Sequence, residues 1–92
     1  MSWSSWKEVD NEMESISNKV KHDAEQRCNK MFNTYKHLVY RTQAANDGTN
    51  YELKLYVGNN ECLVLIVWKS TDPSVPLNLR KADVQPLPEA SA

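Results

Sequence analysis

Tyr51-Glu52-Leu53-Lys54-Leu55-Tyr56-Val57-Gly58-Asn59-Asn60-Glu61-Cys62-Leu63-Val64-Leu65-Ile66-Val67-Trp68-Lys69 is the stretch that decides the fold. Tyr51, Leu53, Leu55 and Val57 alternate with Glu52, Lys54 and Tyr56, the period of two that sets one face of a strand on a core and the other in water. Gly58-Asn59-Asn60 is turn chemistry. Beyond it, residues 62–69 are so apolar that they predict either a fully covered strand or one with an unusual outer face. If Leu63, Leu65 and Val67 face the core, then Val64, Ile66 and Trp68 point outward, near Tyr56 and Val39, with Cys62 in the same outer register.

Upstream, Asn46-Asp47-Gly48 is a hairpin signal, since Asp and Gly both tolerate positive φ. The strand before it is expected to set Leu38 and Tyr40 against His37, Val39 and Arg41. Still earlier, Met13, Ile16, Val20, Ala24, Cys28, Met31 and Tyr35 recur at steps of three or four, with no glycine or proline before Gly48. They predict an amphipathic helix of about 16–22 residues, its solvated face carrying Asn18, Lys19, Lys21, Glu25, Gln26 and Arg27. Ser5 with Glu8, Asp10 and Ser15 are all eligible N-caps, and the helix should end near residues 29–31. Downstream, Ser70-Thr71-Asp72-Pro73-Ser74 reads as a turn and residues 75–84 as a last strand, with Leu77 and Leu79 alternating. A helix followed by antiparallel strands, each with one apolar face, gives an α+β class: one long helix packed across a four- to five-stranded antiparallel sheet. Residues 1–92 are expected to form one domain, with an N-terminal segment at 1–9 and a flexible tail at 85–92.

Composition narrows the function. The 92 residues carry 11 Lys plus Arg against 12 Asp plus Glu, a formal net charge of −1, so no nucleic acid is expected as partner. No apolar run approaches the ~20 residues that span a bilayer, and no membrane partner or secretory leader is expected. Cys28 and Cys62 are too few for a disulfide framework, fall on apolar faces, and fit a reducing, cytoplasmic compartment. His22 and His37 have no metal-ligand spacing, and no acid, base or nucleophile forms a constellation. No metal, no cofactor and no enzymatic activity are expected.

Ile16-x-x-x-Val20, Lys30-x-Phe32-x-x-Tyr35-Lys36, Gln43, Gly48-Thr49-Asn50-Tyr51, Leu55-x-Val57-Gly58 and Pro76-Leu77-x-Leu79 fall in the order and nearly the spacing of the stefins. The chain resembles this intracellular branch of the cystatins over most of its length. The resemblance implies a cystatin-like fold and reversible inhibition of papain-like cysteine proteases by a wedge of three segments. Carried over, these are the N-terminal Met1, Ser2 and Trp3, a first loop of Gln43, Ala44, Ala45, Asn46, Asp47 and Gly48, and a second loop with Thr71, Asp72 and Pro73. All three depart from the family pattern. The N-terminus has no glycine, and the two valines of Gln-Val-Val-Ala-Gly are Ala44 and Ala45. Asn46 and Asp47 add a polar tip and one residue of length, and Asp72 stands where leucine is common. The two Val-to-Ala changes would cost roughly 3 kcal/mol if fully buried, about a hundredfold in affinity. Trp3 and Trp6 either restore apolar area at the N-terminal edge, pack on the helix start as a staple, or are simply disordered. The alternative function is a non-inhibitory binding module using Tyr56, Val64, Ile66 and Trp68 as its partner face; the competing reading of that face is cover by residues 86–92 or by the N-terminal segment. A homodimer would form through that face, or by domain swapping of the helix and first strands about residues 43–48.

Overall fold

The computed structural model describes residues 2–87. Helix α1 (Asn11–Cys28) starts at Asp10, whose carboxylate accepts the Met13 N–H at 2.9 Å; of the three eligible caps, Asp10 is the one used. Glu12 and Glu14 in the first turn and Arg27 in the last complement the helix dipole. Asn29 ends the helix in the left-handed region (φ 53°), where Asn is tolerated better than most side chains. Met31 and Tyr35 therefore fall outside the helix, contrary to the seven-residue stripe: Met31 is 76% exposed, and Phe32 takes the core position instead.

The sheet comprises β1 (Lys7–Glu8), β2 (Lys36–Ala45), β3 (Gly48–Tyr56), β4 (Glu61–Ser70) and β5 (Asn78–Pro86), antiparallel and side by side in chain order. Met13, Ile16, Val20 and Ala24 of α1 meet Leu53, Leu55, Leu63, Leu65, Val67 and Leu79 in one core, as the two periodicities require. Buried Ser17 is the exception in the helix stripe. Its hydroxyl donates to the Glu14 carbonyl (3.0 Å), so it accepts from His37 Nε2, and the Tyr35 hydroxyl donates to the Ser17 carbonyl (2.8 Å).

Three further expectations need correction. A bulge between His37 and Val39 puts an extra residue into β2, so Leu38 turns out to solvent while His37 reaches Ser17. The last strand starts at Asn78 rather than residue 75: Asp72-Pro73-Ser74 forms a side-chain-bonded turn, Pro76 has no N–H to give a ladder, and Val75 stays exposed. At the other end, Glu61↔Pro86 and Cys62↔Gln85 pair, and the Leu87 N–H donates to the Asn60 carbonyl (2.8 Å). The held chain thus runs through Leu87, and only residues 88–92 of the expected tail lie outside the described residues. The N-terminal segment supplies the fifth strand within the expected four to five, at the sheet edge, with Lys7↔Tyr40 and Glu8↔Val39.

Candidate functional site

One end of the sheet collects the termini of four strands. Ala45 pairs with Gly48, leaving only Asn46 and Asp47 to turn the chain. Positive φ falls on Asp47 (59°) alone, not on both Asp47 and Gly48 as the Asp-Gly signal suggests. Glycine at 48 serves close approach. A Cβ there would lie 2.7 Å from Trp68 Nε1, 2.9 Å from Trp68 Cε2 and closer still to the Lys69 carbonyl oxygen.

The loop after β4 is tied to this turn. Thr71 donates its N–H (2.9 Å) and its hydroxyl (3.3 Å) to the Asp47 carbonyl. Asp72 donates its N–H to Ser70 Oγ (3.0 Å), and its carboxylate accepts the Ser74 N–H (2.9 Å) and hydroxyl (2.8 Å). Those two bonds hold the Asp72 carboxyl below its ordinary pKa, so it is ionised at neutral pH. Lys69 reaches back to Glu12 at the start of α1 (3.1 Å). Ala44, Asn46, Asp47, Thr71, Asp72 and Pro73 are all exposed.

The N-terminal segment runs toward the same end. Ser4 donates its N–H to the Thr42 carbonyl (2.7 Å), and the Thr42 N–H donates to Ser4 Oγ (3.0 Å). That brings the segment against Thr42, the neighbour in β2 of Gln43, whose side-chain carbonyl accepts from Asn50 Nδ2 (3.1 Å). Met1 lies outside the described residues. The rings of Trp3 and Trp6 contact the outer face of the sheet: the Arg41 guanidinium lies 4.9 Å from one centroid and 4.5 Å from the other, and Lys54 Nζ lies 4.6 Å from the Trp6 centroid. At the helix start it is Val9 that packs on the core. Three of the sequence-predicted segments thus come together, two of them joined by direct hydrogen bonds.

The expected apolar face on β4 is narrower than its own residues suggest. Val64 is only 4% exposed, Cys62 is also buried, and Tyr56, Ile66 and Trp68 are half-buried. Charged residues flank this row on both sides: Lys54 and Asp83 stand opposite Val64, and Glu52 and Lys81 opposite Ile66. Arg80 lies over the Trp68 ring at 5.8 Å. Long charged side chains lying along apolar surface keep their heads in water and cover what is beneath. Among the described residues no cluster of His, Cys, Asp or Glu is placed to hold a metal ion. Burial raises the pKa of both the Cys28 and Cys62 thiols, so neither is an activated thiolate. No helix among the described residues is long and apolar enough to cross a membrane.

Arg41 and Glu52 are the residues that sequence reasoning passed over. Arg41 Nε donates to Glu52 Oε1 at 2.6 Å, and Glu52 is nearly buried. The signal was present: with Asn46-Asp47 as the turn, counting outward from Ala45↔Gly48 brings Arg41 opposite Glu52.

The chain is 37% identical over 59 residues to leukocyte cysteine proteinase inhibitor 1 of Sus scrofa and 36% identical over 59 residues to cystatin-A8 of the same species. Each match takes in 64% of this chain and 56% of the relative, so the chain spans a little over half the length of these curated relatives. No family model matches the chain. Both relatives support the resemblance to the stefins.

Proposed function

We propose that the chain is a stefin-like, reversible inhibitor of papain-like cysteine proteases, acting by occupying the active-site cleft and catalysing nothing itself. The observation that carries this reading is the shared edge: the turn at residues 46–47 and the loop at 71–73 are bonded through Asp47 and Thr71, with residues 2–4 directed to the same end. Such an edge enters a cleft already ordered, so little conformational freedom is lost on binding. It also resists cutting. Ala44 and Ala45 pair with Thr49 and Gly48, and a hairpin held in its ladder has backbone N–H and C=O groups engaged across the strands and not free to align along a protease cleft.

Met1, Ser2 and Trp3, the turn from Gln43 to Gly48, and Thr71, Asp72 and Pro73 are the residues assigned to the cleft. Inhibition is weaker than that of a first loop bearing two valines, by about a hundredfold if both lost side chains would be fully buried. Asp72 enters already hydrogen-bonded by Ser74, which lowers the cost of taking its charge from water. Two free cysteines fit a reducing, cytoplasmic setting. A swapped homodimer would open the same turn and so lose the inhibitory edge. Replacing Ala44-Asp47 by Val-Val-Ala tests the assignment: the inhibition constant for papain should tighten at least about tenfold. An unchanged constant would place the turn outside the cleft.

A further inference from the structure

We infer that Arg41 is a positioning residue: fixed to the sheet by Glu52, its guanidinium lies against Trp3 and Trp6 and holds the N-terminal segment at the inhibitory edge. Strand β1 is two residues long, too short to order the chain that precedes it. What precedes it is nonetheless held. Ser4 and Thr42 exchange two hydrogen bonds, and the two indole rings both reach the Arg41 cation. Trp3 and Trp6 are an odd number of residues apart, so a regular strand would point them to opposite faces. They converge because the chain departs from strand geometry before Lys7, where the Ser4 hydroxyl donates to the Ser5 carbonyl (2.9 Å).

The planar guanidinium is suited to this role. It stacks on aromatic faces while its N–H groups bond a carboxylate at the edge, a combination an ammonium does not offer. Arg41 does both, with Nε on the nearly buried Glu52 and rings within 5 Å. Lys54, on the neighbouring strand, adds a second cation to Trp6 alone. The chain thus carries its own anchor for a segment that the sheet barely pairs. The functional half of this inference rests on the proposed inhibition. An ordered N-terminal segment contributes to residence in the cleft, and releasing it acts mainly on dissociation.

The test uses Arg41→Lys, which keeps the charge beside Glu52 but loses the planar face, and, separately, Trp6→Ala, which leaves the sheet intact. Both are made with Trp68→Phe and compared with a parent carrying Trp68→Phe alone, so that Trp3 and Trp6 report in Arg41→Lys and Trp3 alone reports in Trp6→Ala. Acrylamide quenching of tryptophan fluorescence should rise, and the Ser4 and Thr42 amides should exchange about tenfold faster, while the Leu53 and Leu65 amides stay unchanged. Dissociation from papain should quicken by a similar factor. Unchanged quenching and exchange in both variants would overturn the clamp. Faster exchange with unchanged dissociation would overturn its role at the edge. Should the parent chain not inhibit papain, the proposed function falls, and the clamp is judged on quenching and exchange alone.

Discussion

Gly48→Ala should destabilise the protein and loosen the joint between its two exposed loops. The added methyl would sit 2.7 Å from Trp68 Nε1 and 2.9 Å from Trp68 Cε2, and nearer still to the Lys69 carbonyl oxygen. Carbon contacts settle near ~3.5–4.0 Å, so the shortfall is roughly 1 Å. An indole ring can swing away, but the Lys69 carbonyl belongs to β4, whose Lys69 is in register with Thr49, and moving it means parting β3 from β4. Overpacking of this kind costs about 3 kcal/mol at the upper end of its range. Stiffening the unfolded chain returns about 0.4–1 kcal/mol. The net loss of about 2 kcal/mol corresponds to a Tm lower by roughly 8–16 °C in a domain of this size. Circular dichroism melting measures it, and hydrogen exchange at the Thr71 amide, bonded to the Asp47 carbonyl, should quicken more than the global loss requires. A Tm within about 2 °C of the parent would refute the close-approach explanation of Gly48.

Asp10→Ala removes the cap of the only helix among the described residues and should cost about 1 kcal/mol, seen as a lower urea midpoint; Ser15→Ala, which leaves the cap in place, should not match it. Burial holds the His37 pKa below its ordinary 6.5, against a smaller opposing pull from Glu14. The unfolded chain therefore binds the proton first: stability from this group is complete above pH 6.5 and declines as pH falls from there through the lower folded value. His37→Gln should lose less of its urea midpoint between about pH 7.5 and 5.5 than the parent does, and equal losses would contradict this assignment.

The central hairpin was legible because alternation in β3 and in β4 needs only neighbouring residues, and Leu63, Leu65 and Val67 do face the helix. The helix was legible for the same reason, though its end depended on Asn29 accepting a left-handed conformation, after which Met31 and Tyr35 could not extend the stripe. The bulge at Leu38 has no local mark: Lys36-His37-Leu38-Val39 alternates as well in one register as in the other, and the Ser17–His37 bond that accompanies the bulge joins residues far apart in sequence. At the site, the loop residues were readable from the resemblance, but their mutual bond was not, since Asp47 and Thr71 meet only once β3 and β4 are aligned. The covering of the outer face was hidden for a similar reason. Residues 63–68 advertise their own apolarity, whereas Arg41, Lys54 and Arg80 reach the nearby tryptophans from three different strands.

Titration of active papain with the intact chain, followed by active-site labelling of the protease and mass spectrometry of the chain, tests the inhibitory edge most directly. Protease activity should fall reversibly as the chain is added, the active-site cysteine should be shielded from label while bound, and the chain should be recovered at full mass. Undiminished activity at about 1 mM chain, or cleavage within residues 43–48, would contradict occupancy of the cleft by this edge.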